Sequence, residues 1–297
     1  MENLAGDPPL DGLASARSIE DDGDTTRCTG GAVSLRIYQV DSFTGQPFRG
    51  NPAGVCIVDG PAEDAWMQHV AAEMNLSETA FVRQREDGAF DLRWFTPAME
   101  VSLCGHATLA TAHILWETGI LSPNTPARFH TASGLLKATR RDARIELDFP
   151  ANPPDPVDPP DGLLEALGVA ATYVGKTRFD YLVEAEDAGV VRDAAPDFRR
   201  LKPLDVRGVM ITARSDDNEF DFVSRFFAPC AGVDEDPVTG SAHCSLAPYW
   251  AEKLGKTELV GYQASTRGGT VRCRVVGDRV LLSGRAVTVL CGQLLAP

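Results

Sequence analysis

Apolar and polar positions along the chain follow two periods. In ARIELDF (143–149), Ile145, Leu147 and Phe149 alternate with Arg144, Glu146 and Asp148, the pattern of a strand with one buried face. TVRCRVV (270–276) does the same. DAWMQHVAAEM (64–74) instead sets Trp66, Met67, Val70 and Met74 at helical spacing behind Asp64, a residue able to cap the helix. Segments 107–116 and 242–250 are apolar on nearly every face, which predicts helices buried on all sides. Pro248 falls inside the second of them and predicts a kink or an early break there.

These two buried segments belong to a longer repeat. RWFTPAMEVSLCGHA (93–107) and RFFAPCAGVDEDPVTGSA (225–242) both read Arg, aromatic, Phe, x, Pro, a loop and Gly-x-Ala, and both run into the apolar helix; the second loop is three residues longer. One duplication accounts for this better than a solenoid of many short repeats. Two related lobes are expected, the strands of each wrapped around its own buried helix. PANPPDPVDPP (150–160) holds six prolines, which remove backbone donors and favour an extended path, and it reads as the linker. The expected division is an acidic, flexible extension over 1–33, a first lobe over 34–149, and a second lobe over 161–284. A strand from about 285–297 returns to the first lobe.

Composition narrows the chemistry. The 297 residues carry a net charge of −14 and no cluster of Lys and Arg, which disfavours a nucleic-acid partner. No apolar run approaches the ~20 residues of a membrane span. Seven cysteines, at 28, 56, 104, 230, 244, 273 and 291, include no Cys-x-x-Cys pair; they read as reduced thiols of a cytoplasmic protein rather than a disulfide framework or zinc site. Residues 1–33 hold seven acidic and two basic side chains and lack the order of a secretory signal.

Candidate chemistry gathers where polar loops meet the apolar helices. A helix N-terminus presents unpaired N–H groups and a partial positive charge, so two such mouths facing each other would clamp a carboxylate or stabilise an enolate. At the first mouth stand Cys104, Gly105 and His106; at the second stand Asp236, Thr239, Gly240 and Ser241. His106 is out of place as a core residue, whereas Cys104 reads equally as a small buried hydrophobe and as a thiol activated by the helix. The glycines fit tight turns as well as a substrate site, and Ser241 also suits an ordinary helix cap. His113 reads as an interior histidine, and His243 is open. Glu78, in MNLSETAFV (74–82), sits between a helix end and an apolar strand, where burial raises a carboxyl pKa toward neutrality. Arg93 and Arg225 read as partners of strand carboxylates, and Gly268-Gly269 as a hairpin turn.

Four ordered motifs carry a family resemblance: YQVDSFTGQPFRGNPAGV (38–55), NLSETAFV (75–82), FTPAMEVSLCGHATLATAH (95–113) and EDPVTGSAH (235–243). From about residue 34 to its end the chain resembles the phenazine-biosynthesis PhzF-like family, which is related in fold to diaminopimelate epimerase; the fold class this implies is α+β, with two similar lobes, each a curved sheet or barrel wrapped around a central helix. The resemblance implies an isomerase with its site between two lobes, a homodimer, and no metal or organic cofactor. It matches Glu78 to the family's acid/base glutamate, His106 to the histidine of its Gly-His motif, and Asp236 and Ser241 to its Asp-Pro-x-Thr-Gly-Ser motif. Gly105 and Gly240 match glycines that approach the substrate, with Cys104 and Thr239 expected beside it. The substrate implied is a small carboxylate like trans-2,3-dihydro-3-hydroxyanthranilate, within which Glu78 would move a proton.

The string Cys104-Gly105-His106-Ala107 departs from the phenazine enzymes, which tend to a small residue before Gly-His and proline after it. It resembles the first thiol position of the epimerases, so a thiol-dependent racemase using Cys104 is the alternative enzyme. Against it, the second mouth offers Asp236 and Ser241 where a second thiol is needed. A non-catalytic metabolite-binding protein on the same scaffold is the alternative of another class.

Overall fold

The alternating segment 143–149 lies in the strand Arg144–Pro150, whose Ile145, Leu147 and Phe149 point inward and are buried. Each such side chain contributes about 1.5–3 kcal/mol by leaving water, which fixes the register of the strand. The structure is a computed structural model that describes residues 35–295; the expectation for the acidic extension 1–33 lies outside the described residues.

The strands of each half follow one pairing sequence. In the first, Leu35–Ser42 pairs antiparallel with Asn51–Ile57, which runs parallel to Glu78–Gln84; that strand pairs antiparallel with Phe90–Phe95, which runs parallel to Ala127–Thr131 and continues through Gly134–Arg141 to Arg144–Pro150. The second half opens with Ala171–Lys176, Asp180–Ala185 and Gly208–Arg214. It continues through Phe222–Phe227, Glu258–Gln263, Gly269–Val276 and Arg279–Gly284. The order of antiparallel and parallel steps is the same in both halves, as duplication requires. A parallel step needs a long crossover. In each half the second crossover carries the central helix, Gly105–Glu117 or Gly240–Leu254.

Both central helices are buried nearly all round, and their apolar side chains join one core that includes Trp94, Phe129, Trp250 and Leu282. Shorter helices cover the outer faces: Asp64–Met74 packs Met67, Val70 and Ala71 on the first sheet. Asp64 does not cap that helix. Glu63 holds the capping position and the Asp64 carboxylate instead takes a 2.7 Å bond from Arg93. The two halves are stitched where Arg144–Pro150 pairs with Arg279–Gly284, and where Ala286–Leu294 pairs with Leu35–Ser42.

Pro248 neither ends nor interrupts the second helix, which runs through it to Leu254. The carbonyl that loses its intrahelical donor is that of Cys244, and the Asn152 amide of the proline-rich segment donates to it at 3.0 Å. An external donor thus offsets the missing bond.

Candidate active site

The two central helices begin next to one another. Cys104 and Thr239 hold the capping positions in extended conformations, and Gly105 and Gly240 are the first helical residues. A methyl group added at Gly105 would stand 3.8 Å from the Gly240 Cα, and one added at Gly240 would stand 3.7 Å from the Gly105 Cα. Side chains here would occupy the space between two partly positive helix ends.

Beside this junction the structure gathers most of the residues singled out from the sequence. Glu78 is the first residue of its strand, and its Oε2 lies 3.2 Å from His106 Nε2. On the other ring edge, His106 Nδ1 lies 3.3 Å from Asn51 Nδ2 and 3.5 Å from the Cys104 sulfur. The Asn51 amide also donates to Asp236 Oδ1 at 2.7 Å and to the Val238 carbonyl at 2.9 Å. Asp236 in turn accepts the Thr239 hydroxyl at 2.5 Å. Close polar contacts lead from Glu78 to His106, on to Asn51 and then Asp236, joining the two halves.

Ser241 stands apart from that chain. Its hydroxyl accepts from Arg207 Nη1 at 3.0 Å, while Arg207 Nε donates to Asp180 Oδ1 at 2.9 Å and its other terminal nitrogen to Asp180 Oδ2. The guanidinium also lies over the Phe179 and Phe226 rings, 5.7 and 5.4 Å from their centroids. A fixed cation therefore stands at the second helix mouth, where the helix dipole alone was expected to attract an anion.

Electrostatics separate the candidate acids. Burial raises the Glu78 pKa above its ordinary value of 4.5, His106 opposes the shift, Asp236 adds to it, and a hydrogen bond from Cys104 opposes it. The Cys104 thiol is driven well above its ordinary range, first by burial and then by the Glu78 charge, and the Ala107 amide at the helix start only partly offsets this. The sulfur is therefore held as a thiol. Asn51 Oδ1, Glu78 Oε2 and His106 Nε2 are buried yet make no aligned hydrogen bond among the described residues. Unpaired buried polar atoms are costly, and these three lie around a single side chain, His106.

Glu78, Cys104 and His106 place one donor atom each within 4.8 Å of one another, which is compact enough to hold a metal ion. Metal binding requires the thiolate, and the burial that keeps Cys104 protonated works against it.

Arg93 and Arg225 are structural, with forked bonds to Glu100 and Glu235. His113, expected in the interior, is only half-buried, 3.1 Å from the Thr288 hydroxyl and 3.6 Å from Glu117. His243 is fully buried beneath the second mouth, with Nδ1 2.8 Å from the Thr239 carbonyl and its pKa pushed down to about 4 by burial. Gly268, with φ +66°, closes the hairpin into Gly269–Val276. Cys230 is exposed and Cys244 lies inside the second helix, so neither mirrors Cys104.

Sequence reasoning missed Asn51, Arg207, Asp180 and Gln263, whose Oε1 accepts the Thr239 amide at 2.8 Å. Asn51 lies within the first of the four motifs and could have been found as a polar residue pinned between Gly50 and Pro52. Arg207 and Asp180 carried no local signal.

Known proteins share this arrangement of chain. A family model described as phenazine biosynthesis-like protein, PhzC-PhzF, matches residues 40–292. An uncharacterized isomerase of Halalkalibacterium halodurans is 53% identical over 89% of this chain and 99% of its own. A second, from Pseudomonas aeruginosa, is 54% identical over 88% of this chain and 99% of its own. The crystal structure of a PhzF-family phenazine biosynthesis protein from Enterococcus faecalis superposes with a TM-score of 0.84 at 40% identity, covering 88% of this chain and 99% of that one. With the duplicated lobes and the site at their junction, these matches establish that the chain belongs to the PhzF-like phenazine biosynthesis family.

Proposed function

We propose that the protein is an isomerase that moves a proton within a small carboxylate-bearing molecule, with Glu78 as the acid/base group. The observation that carries this reading is the Glu78 carboxyl itself: mostly buried, raised in pKa, and 3.2 Å from His106 at the junction of two helix mouths. A carboxyl poised nearer neutrality both takes and returns a proton at ordinary pH, which contributes roughly 10²–10⁴ in rate. Glu78 as carboxylate takes the proton from a carbon, the electron pair moves toward the substrate's unsaturated system, and the same oxygen returns the proton to another carbon. No electrons leave the substrate.

In this reading His106 and Asp236 hold the substrate's polar groups, and Ser241 with Arg207 receives its carboxylate. Gly105 and Gly240 let the two helix ends approach developing negative charge, flanked by Cys104 and Thr239. The substrate proposed is trans-2,3-dihydro-3-hydroxyanthranilate or a close relative, turned over by a homodimer without metal or organic cofactor. Six cysteines among the described residues are all free, in keeping with a reducing, cytoplasmic setting. No helix among the described residues is long and apolar enough to cross a membrane.

The raised thiol of Cys104 and the lack of a second thiol at the other mouth speak against the racemase, which needs two sulfurs that exchange a proton. The test is NMR of trans-2,3-dihydro-3-hydroxyanthranilate in D2O with the wild type and Glu78→Gln. Isomerisation with deuterium uptake by the wild type alone is expected; turnover undiminished in Glu78→Gln overturns the assignment of the base.

A further inference from the structure

Away from Glu78, the outer face of the second-half sheet bears a cleft of about 880 Å³ lined by Arg49, Arg144, Arg267, Arg272 and Arg285, with Glu219 as the only carboxylate among the described residues that line it. Strand alternation builds it. Val271 and Leu282 turn into the core, so Arg272 and Ser283 are left to the outside on neighbouring strands, with Arg285 just past the end of the second. Arg144, at the start of the adjoining strand, lines the same cleft. Five arginines thus line one cleft on a chain whose net charge is −14.

Most of that charge is not neutralised within the protein. Arg267 is held by Asp41, at 2.7 Å, and by the Gly50 carbonyl, at 2.8 Å. Arg49 reaches only the Arg267 carbonyl, at 3.4 Å. The side chains of Arg144, Arg272 and Arg285 make no ion pair with a described residue. Arg83, Arg93, Arg192, Arg225 and Arg279, by contrast, each pair with a carboxylate.

We propose that this cleft binds a small multivalent anion, a molecule bearing at least two phosphate or carboxylate groups, at a site separate from the Glu78 cleft. Multivalency follows from the exposure of the arginines. A single exposed ion pair is weak, so only a ligand engaging several guanidinium groups at once is retained, and planar two-pronged donors suit phosphate and carboxylate alike.

The site bears on the rest of the molecule through one loop. Residues 43–50 form a wall of the cleft, and a methyl group added at Gly45 would lie 3.3 Å from the Arg285 guanidinium. The loop is bonded to the second-half strands by Thr44 N–H to the Arg285 carbonyl at 3.3 Å, Gly50 N–H to the Gly268 carbonyl at 2.8 Å, and Thr270 N–H to the Phe43 carbonyl at 3.0 Å. Its two ends are Ser42, whose hydroxyl donates to the His106 carbonyl at 2.8 Å, and Asn51, which holds Asp236. An anion pulling on Arg285 and Arg267 therefore acts on the loop that positions His106 and Asn51.

The test is calorimetric titration of the full-length protein with inorganic pyrophosphate and, separately, with citrate, alongside hydrogen exchange. Saturable binding of one anion per chain is expected. Arg272→Gln and Arg285→Gln should each weaken it at least tenfold, with protection from exchange in 43–50 and 269–273. Glu78→Gln and Ser241→Ala should bind as the wild type does. Binding of pyrophosphate alone assigns a phosphate ligand, and of citrate alone a polycarboxylate. Absence of saturable binding of either anion overturns the proposal. So does binding that survives both arginine substitutions, or that is lost in Ser241→Ala with protection at 104–107 and 236–241, because the anion would then sit at the helix mouths.

Discussion

Replacing Glu78 by Gln should make the protein more stable at pH 8 while removing its activity. The Glu78 side chain is 19% exposed, its Oε2 has no aligned donor, and burial outweighs the opposing charge of His106 in raising its pKa above 4.5. Because the folded-state pKa is higher than the unfolded one, folding favours the protonated form. The associated stability is fully present below the unfolded value and is lost as pH rises through the folded value. Above that window the wild type carries an ionised, mostly buried carboxylate, and Gln keeps the shape without the charge. A buried polar group lacking its partner costs about 1–3 kcal/mol, and for a domain of this size each kcal/mol moves Tm by about 2–4 °C. Thermal unfolding followed by circular dichroism at pH 4, 6 and 8 should show Glu78→Gln above the wild type by roughly 2–12 °C at pH 8. At pH 4 the two should nearly coincide. A Tm lowered by the substitution at pH 8, or a gap independent of pH, would refute the claim that a destabilised carboxylate sits at this position.

Cys104→Ser should retain most solvent deuterium exchange into substrate, since the thiol is held protonated by burial; loss of more than about 99% of the rate, against the 10²–10⁴ expected of a proton-transfer group, would restore a thiol mechanism. Arg207→Ala leaves the fully buried Asp180 without its cation and should cost about 3 kcal/mol, read as a fall in the urea midpoint. Adding Asp180→Asn should recover most of that loss but not the substrate KM, which separates the structural role of Arg207 from its role at Ser241. His243 has a folded pKa of about 4 against an ordinary 6.5, so the unfolded chain binds a proton that the folded one refuses as pH falls between these values. That difference removes about 3 kcal/mol of stability by pH 4, and His243→Gln should flatten the acid limb of a Tm profile measured from pH 4 to 7.

What was legible in the sequence is what local chemistry encodes. The all-round apolar segments marked the central helices, because no surface helix tolerates leucine, isoleucine and tryptophan on every face. The repeated Arg, aromatic, Phe, x, Pro string exposed the duplication because both copies keep the same structural role. In each, the arginine forks onto a carboxylate in the segment that connects its strand to the central helix. Pro248 misled because its consequence depends on a donor nearly a hundred positions earlier, the Asn152 amide. No window around Pro248 contains that donor.

The same division explains the site. Glu78, Asn51, Gly105 and Gly240 each begin a strand or helix, where a polar residue beside an apolar run leaves a visible junction. Asn51 was overlooked because Asn between Gly and Pro is also ordinary turn chemistry. Arg207 also stands just before a strand, yet its meaning comes from where a long side chain ends: on Asp180, twenty-seven positions back, and on Ser241, thirty-four positions ahead. Short side chains act where the backbone puts them, so their roles follow from element boundaries. Long cationic ones act at a distance set by tertiary structure. For this reason the cations of the second helix mouth and of the outer cleft became visible only after the strands had been laid side by side.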